Sequence, residues 1–453
     1  MYRSCNIQIA YDHPLFSWCD QMAHLSTNLY NAALFRERQL MTSSRKDTSE
    51  WTEHEIEIRE EVHHAMELFK KPRSIPASGA VSYTFLDELM KVTANPDYYA
   101  PLPRQTAQNC LKHVCRDLTG FFESMKAYQK DPTVFTGRPK LPGYKRKKGT
   151  SSFDISNQDC VIRMNRNGSY TAKLPLTKHT LSLGKKVRGS LKEVHVTPNN
   201  GIYQISFVFD TGDEEKPIQK ESKRIAGIDL GVNSLMAVTN NCGLDCMIFN
   251  GRPLKAINQY YNKQIACIQS EQTKGSEKHF VPTKRSMRIT LNRNNRIKDT
   301  MFKTGRQFID WCVENRIDTA VIGANPFWKQ SVNQGSQNNQ AFVQIPYEQL
   351  KRIIQYLGIQ NGIQVILQEE SYTSQASFLD SDSIPVYGKE ETIPVFSGKR
   401  IKRGLYRSNT GESINADLNG SANIIRKCFP DAFTKGTMPD FRNIQTIRHP
   451  EDK

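Results

Sequence analysis

Apolar and polar side chains alternate over residues 6–11, the period of a strand with one buried face. From Pro14 the period lengthens. Leu15, Cys19, Met22, Leu29 and Ala33 recur at helical spacing, and Pro14 suits a first helical turn. Residues 40–100 are mixed: 53–71 are charged and predict a helix, and 71–78 form a proline-rich break. Pro103 opens a clear amphipathic helix with Ala107, Leu111, Val114, Leu118, Phe121 and Met125 on one face. Arg104, Lys112, Arg116 and Lys126 lie off that face, so the apolar stripe reads as core and the cations as a basic side.

Beyond residue 150 the period is that of strands. Residues 152–155, 170–174, 194–197 and 203–209 predict short strands with turns at Asn167-Gly168 and Asn200-Gly201, enough for a small antiparallel barrel. The charged stretch 210–223 is a candidate domain boundary. Strands and helices then alternate: two strands over 225–239, a third at 247–249, helices over 254–272 and 282–315, a strand at 320–322, a helix over 347–358, a strand at 364–369 and a last helix over 417–427. That order predicts an α/β domain around a mixed sheet, within a multidomain α+β chain.

Charge sharpens this picture. At 453 residues the chain is too long for one core, and 62 Lys and Arg against 46 Asp and Glu give a net charge of +16. Either a polyanionic partner or an ordinary basic surface accounts for that excess. The densest cluster is Gly137-Arg-Pro-Lys-Leu-Pro-Gly-Tyr-Lys-Arg-Lys-Lys-Gly149, where Arg138, Lys140, Lys145, Arg146, Lys147 and Lys148 surround Tyr144. Phosphate contacts with an aromatic for stacking, or a solvated linker, would look like this. Arg288, Arg293 and Arg296 on the 282–315 helix, and Lys399, Arg400, Lys402 and Arg403 in a basic hairpin-like segment, are further candidates for nucleic-acid contact. No apolar run approaches the ~20 residues that span a bilayer, and the first twelve residues lack a signal-peptide layout. A cytoplasmic, nucleoid-associated protein is expected in a bacterial host, or a nuclear one in a eukaryote, with no membrane partner. The ten cysteines are scattered and none forms a Cys-x-x-Cys pair, so neither a disulfide framework nor a zinc ribbon is supported.

Two acidic residues carry candidate chemistry. Asp229, in Arg224-Ile-Ala-Gly-Ile-Asp-Leu-Gly-Val-Asn233, is a carboxylate in an apolar strand, which needs a cation or a turn role to offset its burial. Asp417, in Ile414-Asn-Ala-Asp-Leu-Asn-Gly-Ser-Ala-Asn-Ile-Ile425, stands near a helix start, where the dipole alone favours it. A first-strand and a last-helix carboxylate together suit a metal site of the RNase H type.

These motifs, with Glu370-Ser-Tyr-Thr-Ser374, resemble the RuvC motifs of the TnpB family, the transposon-encoded relatives of type V CRISPR effectors and Fanzor proteins. Leu29-Tyr-Asn-Ala-Ala33, Leu102-Pro-Arg-Gln105 and Pro139-Lys-Leu-Pro-Gly-Tyr144 extend the resemblance toward the N-terminus. It implies a split β-barrel wedge domain (1–12 and 131–223) with an inserted helical recognition lobe (13–130). An RNase H-like RuvC nuclease (224–370 and 414–432), a lid insert (371–413) and a C-terminal tail (433–453) would follow. It implies a transposon-derived guide RNA and a double-stranded DNA target with an adjacent motif, most of the target being read by base pairing. Oligomeric state stays open.

The chain departs from the pattern twice. Gly323 stands where the family usually has a Glu, and Glu369 and Glu370 resemble the relocated glutamate of a family subset; strand alternation lets only one reach a metal, with Glu370 preferred and Glu369 in reserve. The zinc-ribbon cysteines are missing, since no Cys occurs from 313 to 427, so no structural zinc is expected. By the resemblance, Asp229, Glu370 and Asp417 would be catalytic and hold two magnesium ions about 3.5–4 Å apart, with manganese as an alternative. The expected function is RNA-guided DNA cleavage. A nuclease-dead RNA-guided repressor and a strand-transfer transposase are the alternatives.

Overall fold

The computed structural model describes residues 1–185, 187–214, 216–217, 224–274, 279–325, 344–388, 394–402, 404–434 and 437–448. Arg403 therefore lies outside the described residues. The chain divides into two units, residues 1–213 and 214–453, each built around its own sheet.

In the first unit, strand β1 (Tyr2–Ile9) leads into the long helix α1 (Phe16–Ser43), then α2 (Glu53–Glu67), α3 (Tyr83–Val92) and α4 (Arg104–Lys130). Strands β2 (Phe153–Ser156), β3 (Val161–Met164), β4 (Tyr170–Lys173), β5 (Thr180–Gly184), β6 (Ser190–Asn199) and β7 (Ile202–Asp210) follow. Although β1 is about two hundred residues away in sequence, it pairs antiparallel with β7 along its whole length, from Tyr2 opposite Asp210 to Ile9 opposite Tyr203. The sheet order is β1-β7-β6-β2, and β3-β4-β5 form a second small sheet. Strict alternation on β7 buries Tyr203, Ile205, Phe207 and Phe209.

The start of α1 (Trp18, Cys19, Met22) packs into that sheet's core, while its later residues (Leu29, Leu34, Leu40) belong to a separate core with α2, α3 and α4. Helix starts are set locally: Thr52 and Glu55 form a capping box on α2, and the Ser82 hydroxyl accepts from the Phe85 amide on α3. The sequence pattern did not predict α3, β3 or β5.

The second unit holds β8 (Ile225–Leu230), β9 (Ser234–Asn240), β10 (Asp245–Asn250), α5 (Arg252–Thr273), α6 (Lys284–Glu314), β11 (Thr319–Ala324), α7 (Tyr347–Asn361) and β12 (Gln364–Glu369). After these come β13 (Lys399–Lys402), β14 (Leu405–Arg407), β15 (Ser413–Asn415), α8 (Ala416–Cys428) and β16 (Asp440–Ile447). Six strands form a mixed sheet in the order β12-β11-β8-β9-β10-β16, and β13-β14-β15 make a small antiparallel sheet. Residues 440–447, expected in a tail, instead form edge strand β16, parallel to β10. The core on one side of the large sheet joins Ile228 and Ile322 to Met301 and Phe308 of α6 and Leu350 and Ile354 of α7. Ile424 and Ile425 of α8 pack with Ile225 and Val321 in a separate cluster. Among the described residues no helix is long and apolar enough to cross a membrane.

Candidate active site

Strands β8, β11 and β12 are parallel neighbours, with Ile228 opposite Ile322 and Ala324 opposite Glu369. Ligand sites of such sheets lie beyond the carboxyl ends of the strands. The acidic residues gather at that edge: Asp229 near the end of β8, Glu369 ending β12, Glu370 just after it, and Asp417 in the first turn of α8.

Helix α8 is docked on the sheet by its own polar residues. Asn415 caps it, its side-chain oxygen accepting from the Asp417 and Leu418 amides. The Ser421 hydroxyl donates to the Gly227 carbonyl at 2.8 Å and accepts from the Thr239 amide at 3.1 Å. One face further round, Asn419 donates to the Ala376 carbonyl and accepts from the Phe378 amide, and Asn423 donates to the carbonyls of Thr373 and Ala376. The segment that follows Glu370 is thus tied to the helix that carries Asp417.

The two adjacent glutamates have different surroundings. Glu369 Oε2 meets Lys427 Nζ at 2.6 Å, and its Oε1 accepts from the Ser371 amide at 2.6 Å. Burial raises its pKa, but Lys427 and Ser371 outweigh burial and hold it below the ordinary value. Lys427 is 5% exposed and also donates to the Ser371 and Pro385 carbonyls, so Glu369 is committed to a structural ion pair.

Glu370 occupies the space that position 323 leaves vacant. A Cβ on Gly323 would coincide with the Glu370 carboxylate and press on Ile424. The residue type missing from β11 is thus matched by a carboxylate arriving from the end of β12. Burial, then the charge of Glu369, pushes Glu370 up to about 7, against the pull of Lys351 and Lys427.

Asp229 lies against α8, its Oδ2 2.8 Å from where a Cβ on Gly420 would stand. Its pKa is raised well above the carboxylate range by burial, then by the negative charges of Glu370 and Asp417; Arg400 opposes this. Asp417 is gripped at both oxygens: Ser234 Oγ donates to Oδ2 at 2.7 Å and Arg400 to Oδ1 at 3.2 Å. Ser234 and the Arg400 contact were not anticipated from sequence, although Ser234 lies only five residues after Asp229.

A carboxylate whose proton affinity is raised by burial and by two acidic neighbours, as at Asp229, suits a hard divalent cation, which would remove the penalty and finds only oxygen donors here. Among the described residues no three His, Cys, Asp or Glu side chains are already drawn within reach of one ion. The carboxylates are electrostatic neighbours rather than a closed cage.

The cations proposed for nucleic-acid contact divide by exposure. Arg138, Lys140, Arg146, Lys147, Lys148, Arg288, Arg296, Lys399 and Lys402 are exposed. Lys145 turns inward: its Nζ lies 3.8 Å over the Tyr30 ring, its backbone is held on both sides by Asn31, and burial lowers its pKa. Arg293 also turns inward, donating to Asn258, Asn294 and the Gln344 carbonyl. Tyr144 stays partly exposed with Arg38 4.9 Å over its ring. Lys145 and Arg293 are therefore half-buried rather than exposed.

Comparison with known proteins agrees with this architecture. Residues 206–327 match the OrfB_IS605 family, described as a probable transposase, and residues 347–424 match the Cas12f1-like TNB domain. A TnpB-like protein, ORF457 of Acidianus two-tailed virus, is 25% identical over 222 residues, 47% of this chain and 44% of that protein. Over these stretches the chain is similar to the TnpB family. The match spans less than half the length of that curated TnpB-like relative. Among solved structures, the Cas12f1–sgRNA–target DNA complex matches at a TM-score of 0.51 and 14% identity, covering 90% of this chain and 82% of that one. That likeness is one of fold, a shared mixed α/β architecture. The mini-RNA-guided endonuclease CRISPR-Cas phi3 matches at a TM-score of 0.46 and 8% identity, over 94% and 92% of the two chains.

Proposed function

We propose that this protein is an RNA-guided DNA endonuclease of a transposable element, cutting with Asp229, Glu370 and Asp417. The observation that carries the reading is the Glu370 carboxylate standing in the side-chain space of Gly323, beside the strand that bears Asp229. A nuclease-dead RNA-guided binder would be favoured by Gly323 alone, and the carboxylate filling its place weighs against that. Similarity to the TnpB family supports guide RNA and target DNA as partners, since the Cas12f1 complex of similar fold contains both. The pairing of β1 with β7 supports reading the first unit as a split wedge domain carrying a helical lobe.

In this reading Asp229, Glu370 and Asp417 would hold divalent ions, magnesium by donor type. Such ions, when bound, supply an activated water and stabilise the leaving oxygen of a phosphodiester. The chain's own residues supply the rest. Ser234 fixes the rotamer of Asp417, while Asn419 and Asn423 hold the backbone that presents Glu370. The exposed cations Lys399 and Lys402 would line the strand's approach, and Arg138, Lys140 and Arg146–Lys148 would bind backbone phosphates on the first unit. The test is to sequence the RNA that copurifies with the protein and program plasmid cleavage with it. Asp229→Ala should abolish cutting, by at least ~100-fold, with RNA binding retained. Undiminished cutting would overturn the assignment.

A further inference from the structure

Arg400 sits in the acidic site by construction. It is on β13, directly opposite Tyr406 of β14, which is in turn opposite Ile414 of β15. Tyr406 and Ile414 are 1% and 5% exposed, and the Tyr406 hydroxyl donates to the Gln375 carbonyl at 2.7 Å, so the platform under Arg400 is fixed. Directly opposed strand residues share a face, so Arg400 stands on the face of Tyr406 while remaining exposed. Ile414 is three residues before Asp417, with the Asn415 cap between them, so sheet and helix place the guanidinium and the carboxylate together.

The two contacts on Asp417 differ in kind. Ser234 is a neutral donor that leaves the carboxylate its charge, whereas Arg400 brings a full positive charge to the other oxygen. Arg400 also opposes the rise at Asp229. With its side chain 47% exposed, the guanidinium can leave without unpacking the fold.

We propose that Arg400 is a resident counter-ion of the carboxylate site, holding it neutralised until a phosphodiester backbone draws the guanidinium away, so that nucleic acid and divalent cation bind cooperatively. This rests on reading Asp229, Glu370 and Asp417 as a metal site. A guanidinium binds a phosphate as readily as a carboxylate, and a cation at Asp417 Oδ1 and the present Arg400 contact exclude each other. Coupling is then reciprocal: DNA tightens metal, and metal frees Arg400 for DNA. An exposed arginine–carboxylate pair sets the size at about five-fold in affinity.

The experiment is titration of the full-length protein with Mn²⁺, followed by electron paramagnetic resonance, with and without a short single-stranded DNA oligonucleotide. Arg400→Gln should bind Mn²⁺ about five-fold tighter than the parent. Arg400→Lys should stay close to the parent, and Lys402→Gln, which removes a nearby charge, should not tighten binding. The oligonucleotide should tighten Mn²⁺ binding to the parent and leave Arg400→Gln unchanged. Asp229→Asn reports which binding belongs to the site. Equal affinity in the parent and Arg400→Gln, with no effect of oligonucleotide, would overturn the counter-ion role and leave the metal site standing. Absence of Asp229-dependent Mn²⁺ binding in every variant would instead overturn the metal site itself, and the inference with it.

Discussion

Glu369 and Glu370 are one peptide bond apart, yet the fold assigns them opposite tasks. Glu369 compensates a lysine that is almost wholly enclosed, while Glu370 adds negative charge beside another carboxylate, Asp229. Opposite signs follow for stability. Glu369→Gln leaves Lys427 without its counter-charge and should lower stability by ~2 kcal/mol, discounted for the partial exposure of Glu369. Cutting should persist wherever that variant stays folded. Glu370→Gln removes a repulsion, so it should melt at or above the parent temperature in metal-free buffer while losing at least ~100-fold in cleavage. Thermal melts and plasmid cleavage on both variants check this, and loss of cutting confined to Glu369→Gln would reverse the assignment. In the first unit, Glu37 is fully buried, with Oε2 accepting from the Val81 amide and Oε1 without a partner. Burial, partly offset by that amide, raises its pKa from 4.5 to about 8. The folded form therefore keeps a proton that the unfolded chain releases near 4.5, so stability is highest below that value and falls as pH rises through about 8. The loss amounts to ~3 kcal/mol at pH 7, and Glu37→Gln should flatten the pH profile of unfolding across that window.

Helix α8 does the work of an assembly jig, and its sequence shows why. Asparagine is unfavourable inside helices because its side chain competes for backbone groups, yet Asn415, Asn419 and Asn423 recur every fourth residue on one face. Each meets backbone groups: its own helix's amides for Asn415, and the 373–378 segment for the other two. Asn423→Ala would remove its bonds to the Thr373 and Ala376 carbonyls, of which Ala376 keeps Asn419, costing ~1–3 kcal/mol. It should also weaken cleavage more than Mn²⁺ binding, because Glu370 is displaced rather than removed; kinetics beside a metal titration separate the two. Asp417 and the helix were legible in the sequence, since a carboxylate in the first turn followed by an apolar stripe is a strong local signal. The asparagine seam was visible in the letters but had no interpretation until its partners were known. Other elements stayed hidden for physical reasons. Strand β3 is largely exposed, with Val161, Arg163 and Met164 all facing solvent, and β16 is an exposed edge, so neither carries the alternation that marks a half-buried strand. Helix α3 did carry a signal, Phe85, Leu86, Leu89 and Met90 after the Ser82 cap, but it follows a proline-rich stretch that obscured it. The choice between Glu369 and Glu370 could not be fixed by alternation because β12 ends at Glu369, leaving Glu370 to the turn that follows.

Across the whole chain, the segment that leads to α8 is held together by polar side chains. Among the described residues of this segment, carboxylates and hydroxyls make the ties. Asp382 accepts from the Ser377 and Ser397 amides at 2.7 and 3.1 Å and from the Ser397 hydroxyl, while Arg426 of α8 donates to its carbonyl at 2.7 Å. Asp380 accepts from the Ser377 hydroxyl at 2.6 Å and the Asn409 amide at 2.8 Å. These bonds tie the start of the insert to the strand region before β13, to the turn after β14 and to α8, the same closure that a metal ion would give through four ligands. The two devices differ in what dissolves them. A zinc-held insert loosens when its metal is chelated, whereas this network answers to loss of a carboxylate. Treatment with 1,10-phenanthroline should therefore leave the thermal transition of the second unit in place, and Asp382→Ala should lower its stability by ~1–3 kcal/mol. Because Arg400 rides on the strand that this network positions, Asp382→Ala should also weaken the coupling between DNA and Mn²⁺ without changing the carboxylates themselves. A transition that shifted on chelation, with Asp382→Ala silent, would place a metal in the insert and overturn the polar clamp.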